Sequence, residues 1–286
     1  MTTPAPDRTV VVTGAGGALG TALARRFAAD RAVVVRADLV DPDGPTDLDE
    51  DRHPWVTCDV TRPGDLAALV DTAIHRTGRL DVLVNCAGIT HRSPAATTDP
   101  DLMARIMAVN WEGPMRLSQL ALPHLADTRG SIVNLSSMSA WMPVPGRAAY
   151  GASKAALTQF MEVLRHEAAA RGVNVLDVHP GFLDSVMPDL AIGPGGEGGD
   201  GAADDREAGR PRPRTSVGRA LQVDDLADMI VMAEADRTRW MFPDRFAHAA
   251  SLLWRVAPGT FHRLVARRFA DELDTDRTTT RETTDG

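Results

Sequence analysis

Residues 9–20 read Thr-Val-Val-Val-Thr-Gly-Ala-Gly-Gly-Ala-Leu-Gly, and this stretch decides the fold. Thr9–Thr13 is a short β-branched run that stops at glycine. Ala18–Ala29 then carries Leu19, Leu23 and Phe27 every four residues, which predicts a helix packing one face. A strand, a glycine turn and a helix in that order suit a pyrophosphate. Gly14, Gly16, Gly17 and Gly20 let the backbone approach it closely. Ala18 and Leu19 stand at the helix N-terminus, where unpaired N–H groups and a positive dipole end meet an anion. An isolated glycine cluster also reads as a flexible loop. The strand before it and the helix after it favour the nucleotide.

The same alternation continues outward. Ala32–Val35, Trp55–Cys58, Leu80–Val84, Ser131–Leu135 and Val173–Val178 read as strands. Asp65–Thr77 and Tyr150–Ala170 read as helices between them. Near-continuous apolar strands separated by helices imply an α/β fold: a doubly wound parallel sheet covered on both faces. Further on, Asp224–Ala235 reads as a helix and Arg239–Phe242 as a last strand. Ile192–Arg214, rich in Gly, Pro, Asp and Arg, reads as a mobile loop, and Asp271–Gly286 as a disordered Thr-rich tail.

Composition excludes several functions. The 286 residues carry a net charge of −8, against the basic face that a general nucleic-acid binder needs. Cys58 and Cys86 are the only cysteines, too few for a disulfide framework or a zinc thiolate cluster, and no metal is expected. The apolar runs are too short for a transmembrane segment, and residues 1–8 do not look like a signal peptide. The expected location is cytoplasmic.

Asp38 ends the second strand, 18 residues after Gly20. That is close to the roughly 20-residue offset of the acid that binds an adenosine ribose. A carboxylate there repels the 2′-phosphate of NADP, which favours NAD. Asp38 also suits a strand-ending turn. Arg36 lies on the same strand face, and if it reached the ribose it would tolerate the phosphate.

The chain holds 30 Arg but one Lys, Lys154, and one Tyr, Tyr150. Four residues is close to one helical turn, so the two side chains share a face. With the glycine turn, Asp59-Val60, Asn85-Cys86-Ala87-Gly88, Asn110, Ser137, and Pro180-Gly181, the sequence from about Thr9 to Ser185 resembles the classical short-chain dehydrogenase/reductase family. Tyr150 follows Ser137 by 13 residues, as the family pattern has it.

The resemblance implies a Rossmann-like fold and NAD(P)-dependent alcohol oxidoreduction. It makes Tyr150 the general base, Lys154 its tuning cation and a ligand of the nicotinamide ribose, and Ser137 a hydrogen-bond donor to the substrate oxygen. Asn110 would hold a water linking Lys154 to solvent. The chemistry needs such help. A free Tyr has a pKa of about 10, and ionising it near pH 7 takes roughly 4 kcal/mol of phenolate stabilisation, much of which a neighbouring cation supplies. Ser139 is the fallback for Ser137. Asp59 either touches adenine or caps the following helix. Asn85 braces either the cofactor or the sheet. Ala87, Gly88, Pro180, Gly181 and Ser185 complete the expected cofactor contacts. His91, His124 and His179 lack ligand spacing and read as structural or surface residues.

Departures from the pattern are Ala18 for the middle glycine, Cys86 for an asparagine and Ser185 for a threonine. The end of the chain lacks the family's glycine-rich closing strand and resembles hydroxysteroid-dehydrogenase-like members. Met138, Trp141, Met142, Val144, Phe182, Leu183 and Met187 flank the site. Their apolar character favours an apolar or polycyclic alcohol or ketone over a sugar. The Arg-rich balance resembles actinobacterial proteins, and terpenoid-antibiotic tailoring dehydrogenases of the pentalenolactone type fit. Phe261, Leu264, Val265 and Phe269 at helical spacing suit a lid or subunit contact, or else a membrane-surface helix. The expected layout is one Rossmann domain over 1–242 with a flexible insert at 191–214. A helical extension follows over 243–270 and a tail over 271–286. The resemblance also implies a homodimer or homotetramer. Two rivals are an NADPH-dependent ketoreductase and a non-enzymatic nucleotide-sensing regulator of the same fold.

Overall fold

In the computed structural model, which describes residues 7–40, 47–181 and 221–268, the β-branched run at the start is the centre of a sheet. β1 (Thr9–Thr13) pairs in parallel with β2 (Val33–Asp38) on one side and β4 (Val82–Asn85) on the other. β3 (Trp55–Thr57), β5 (Ser131–Leu135), β6 (Asn174–Val178) and β7 (Trp240–Met241) complete the order β3-β2-β1-β4-β5-β6-β7. All pairings are parallel. Chain direction across the sheet reverses between β1 and β4. Ligands of doubly wound sheets bind in the crevice that this reversal opens at the strand C-termini.

Strand alternation sorts the core into two layers. Val10 and Val12 face α1 (Ala18–Ala29) and α6 (Val223–Ala235). Val11 faces α2 (Pro63–Thr77), α4 (Gly113–Thr128) and α5 (Ala148–Ala169). Both faces are therefore dry, which is why the strands read as continuous apolar runs. α7 (Arg245–Val256) and α8 (Pro258–Arg268) form the C-terminal extension. Among the described residues no helix is long and apolar enough to cross a membrane.

Three features depart from the sequence reading. β7 stops at Met241, one residue before Phe242. Two helices unassigned from the sequence, α3 (Pro100–Met107) and α4, join β4 to β5. Between them, Ala108–Glu112 winds as a π-helical turn that carries Asn110 inward. Pro100, Pro114 and Pro123 obscure the periodicity here. Pro100 occupies an initial helix turn, where a missing N–H costs nothing, and Pro114 lies just past the π-helical turn. Pro123 lies within α4, yet Leu117, Ala121 and Leu125 still bury one face.

Candidate active site

The glycine turn has the shape of a nucleotide cradle. Gly14 has φ +69°, and a Cβ on it would stand 2.7 Å from the backbone of Ala87. A Cβ on Gly20 would stand 2.0 Å from the Gly14 carbonyl oxygen. The turn, the start of α1 and the Cys86-Ala87 loop thus touch backbone to backbone. The Thr13 hydroxyl ties them further by accepting the Cys86 and Ala87 amides at 3.2 and 3.3 Å. Gly17 is the N-cap of α1 and offers no side chain to the first-turn amides, which leaves that helix end to a ligand. The Asp38 carboxylate accepts the Gly16 amide at 3.0 Å, so the acid sits on the rim of the turn.

Arg36 is engaged elsewhere. Its Nε donates to the His53 carbonyl at 3.0 Å and its guanidinium lies over the Trp55 ring. The register that sets Arg36 opposite Trp55 in β3 fixes this. Asp59, Val60 and Asn85 also have partners within the protein. The Asp59 carboxylate accepts the amide and hydroxyl of Thr61, which together hold its pKa below the usual carboxylate value, and so orders the turn before α2. Val60 packs its carbonyl against Gly113, where no Cβ would fit. Asn85 donates to the Ser118 hydroxyl of α4 at 3.0 Å and braces the sheet. Burial pushes the Cys86 thiol up to about 12, so it is a neutral wall residue.

α5 presents Tyr150 and Lys154 together. The Lys154 Nζ lies 5.9 Å from the Tyr150 ring centroid and donates to the Leu135 carbonyl at 2.6 Å. A Cβ at Gly88 would lie 3.7 Å from that Nζ and 3.4 Å from the Asn110 Oδ1, so the loop after β4 runs across both. Asn110 is fully buried. Its Oδ1 accepts the Ile89 amide, and its Nδ2 donates to the Ile89 carbonyl and the Ser153 hydroxyl. The side chain therefore clamps the β4 loop to α5.

The serines after β5 differ in their contacts. The Ser136 hydroxyl pairs with Thr158 on the body of α5. The Ser137 Oγ accepts the Ser139 amide at 3.1 Å, which leaves its own O–H free to donate. The Met138 amide donates to the Pro180 carbonyl at 3.1 Å, so the serine loop and the loop after β6 meet. A Cβ on Gly181 would stand 2.7 Å from the Asp244 carboxylate, which caps α7. Phe182, Leu183, Ser185 and Met187 lie outside the described residues. Met138 and Met142 are buried, packed with Trp141, Val144, Leu253, Trp254 and Phe261. They anchor the extension to the catalytic loop and present little open surface.

One residue outside the expected set also borders the site. The buried His179 ring lies 3.4 Å from the Ser137 carbonyl oxygen through Nδ1 and 3.3 Å from the Asp177 carboxylate through Nε2. Its place directly before Pro180-Gly181 was the signal available in the sequence.

The chain belongs to the short chain dehydrogenase family, whose model matches residues 8–190. It is an NAD(P)-dependent dehydrogenase/reductase of that family, acting on a small-molecule alcohol or ketone. It is 30% identical over 276 residues to dehydrogenase/reductase SDR family member 7B of Bos taurus, covering 92% of this chain and 82% of that protein. It is 37% identical over 187 residues to 11-beta-hydroxysteroid dehydrogenase A of Sesamum indicum, covering 63% of this chain and 53% of the other. The fold superposes on a 3-ketoacyl-(acyl-carrier-protein) reductase from Brucella melitensis complexed with NADH. The TM-score is 0.69 and the identity 25%, over 83% of this chain and 96% of that one.

Proposed function

We propose that the protein oxidises a secondary alcohol to a ketone on an apolar, polycyclic substrate of terpenoid or steroid type, with NAD as cofactor. The observation that carries the cofactor choice is the Asp38 carboxylate on the rim of the glycine turn, with Arg36 held away from it by His53 and Trp55. NAD, when bound, supplies the hydride acceptor. Gly14, Gly16, Gly17, Gly20 and the start of α1 would hold its pyrophosphate, and Asp38 its ribose. Tyr150 takes the hydroxyl proton of the alcohol. Lys154 stabilises the Tyr150 phenolate before that transfer, which leaves a neutral phenol, and Ser137 donates to the substrate oxygen. Asn110 keeps the Gly88-Ile89 loop seated on Lys154. The apolar surroundings of Ser137, and the similarity to a protein named as a hydroxysteroid dehydrogenase, support the substrate class.

The test is kcat/KM with NAD and with NADP over a panel of terpenoid and steroid secondary alcohols. We expect NAD to be preferred. Asp38→Ala should relax that preference by about 10²-fold, the effect of removing one charge about 5 Å from a phosphate at an effective dielectric of about 20. A native preference for NADP would overturn the assignment in favour of the ketoreductase reading. NAD binding without turnover of any alcohol would favour the sensing regulator.

A further inference from the structure

α5 begins without a side-chain cap of its own. Its N-cap residue, Arg147, makes no capping hydrogen bond. The first turn of a helix leaves N–H groups that need acceptors, and here one acceptor comes from another loop. The Ala149 amide donates to the Nε2 of His91 at 3.2 Å. Ala149 directly precedes Tyr150. His91 is fully buried, so water does not substitute for it.

The neighbouring bonds fix the tautomer. Nε2 accepts, so it carries no hydrogen. Nδ1 then carries one and donates to the Ser93 hydroxyl at 3.0 Å. Ser93 in turn donates to Thr98 at 2.7 Å, and Thr98 to the Pro94 carbonyl at 2.8 Å. Every donor in this chain has an acceptor, and all point the same way. Two more bonds join the same segments: Arg147 to the Thr90 hydroxyl at 2.7 Å, and the Ser93 amide to the Gly146 carbonyl at 3.1 Å. The loop after β4 is thus stitched to residues 146–149, immediately before the tyrosine.

We propose that neutral His91 is a positioning residue for Tyr150, capping the catalytic helix from across the chain. This rests on the reading of Tyr150 as the base. A second proton on the ring would place an N–H against the Ala149 N–H, and the cap would break. Two cations and one carboxylate stand around it. Arg147, at the start of α5, opposes a further positive charge. Arg92 follows in its own loop. From the α3 side come neutral Thr98 and Asp99, whose carboxylate caps the Asp101 amide. Burial, with Arg147 adding to it, holds the His91 imidazole below its ordinary range.

Tyr150 is the sole tyrosine, so ¹³C-tyrosine labelling gives one set of ring signals and reads its setting with no substrate present. In wild-type protein those signals should move in step with the His91 imidazole as pH is lowered. In His91→Gln, whose amide oxygen accepts but does not titrate, that acid transition should vanish while the neutral-pH signals persist. In His91→Leu the signals should be displaced at neutral pH, and the Ala149 amide should lose exchange protection. With an alcohol identified by the panel above, His91→Leu should lose about tenfold to a hundredfold in kcat, as for a small misplacement of a reacting group. NAD affinity should stay unchanged, and His91→Gln should restore most of the rate. Persistence of the acid transition in His91→Gln, or wild-type tyrosine signals in His91→Leu, would overturn the proposal. Should His91→Leu not fold, the wild-type and His91→Gln titrations decide. These readouts need no turnover, so they stand apart from any failure of the assigned reaction.

Discussion

Replacing Lys154 with Met removes one positive charge while keeping a long unbranched side chain in a buried position. The ammonium lies 5.9 Å from the Tyr150 ring centroid. Taking that centroid as the site of phenolate charge, and an effective dielectric of about 20, the lost attraction is about 3 kcal/mol. At about 1.4 kcal/mol per pH unit, half-ionisation of the phenol should move upward by about two units. Tyr150 is only partly buried, so solvent screening makes this an upper figure and one unit a reasonable lower one. Ultraviolet difference titration reads the change directly, because no other tyrosine contributes. Turnover at neutral pH should fall by about tenfold to a hundredfold and recover as pH is raised. Met also leaves the Leu135 carbonyl without its donor. A urea unfolding curve should therefore show about 1 kcal/mol of lost stability, with the fold retained. A folded Lys154→Met protein whose phenol titrates at the wild-type pH would refute the reasoning. So would a rate loss that is independent of pH, which would place the role of Lys154 in binding alone.

Tyr150→Phe should lose about 10²–10⁴-fold in kcat, the usual contribution of a general base, yet bind NAD normally by calorimetry. Gly20→Ala should abolish the rise in Tm on adding NAD, since its Cβ would collide with the Gly14 carbonyl at 2.0 Å. Stability should fall as pH drops below about 6.5. His53 accepts the Val34 amide through Nδ1, and burial, with Arg52 and Arg36 adding to it, lowers its pKa, as burial and Arg147 do for His91. The unfolded chain therefore takes up protons before the folded one, and each such histidine contributes at most about 1.4 kcal/mol per pH unit until its folded-state value is reached. Urea unfolding between pH 5 and 8 checks this. A flat profile would count against it, and His53→Asn should reduce the slope.

How much was legible follows from the reach of each interaction. The glycine turn, the strand before it and the helix after it are local, and residues 9–29 display all three. Tyr150 and Lys154 are one helical turn apart, so sequence spacing alone put them together. The fate of Arg36 was not legible. Period-two alternation placed it beside Asp38, but its guanidinium is directed by Trp55 and His53 on a strand of three residues with little signal of its own. Asn110 is a similar case: the family pattern gave its place in the site, while the Ile89 and Ser153 partners come from a π-helical turn that no propensity announces. His91 and Ala149 are 58 positions apart, and a lone histidine without ligand spacing reads as structural until its partner is seen.

The apolar residues after Ser137 show how one sequence signal serves two uses. Met138, Trp141 and Met142 were assigned to substrate because they are large, soft and close to the catalytic serine. The structure packs them under α7 and α8, where Phe261 and Trp254 cover them. The two uses are coupled, because the Met138 amide is bonded to the Pro180 carbonyl and the cap of α7 presses on Gly181. An extension packed on the catalytic loop through this cluster, and meeting the loop after β6 at Gly181, sets the shape of the space beside Ser137 even where its own side chains touch no substrate. Apolar character near the serine therefore constrains substrate class through the packing of this extension as much as through direct contact.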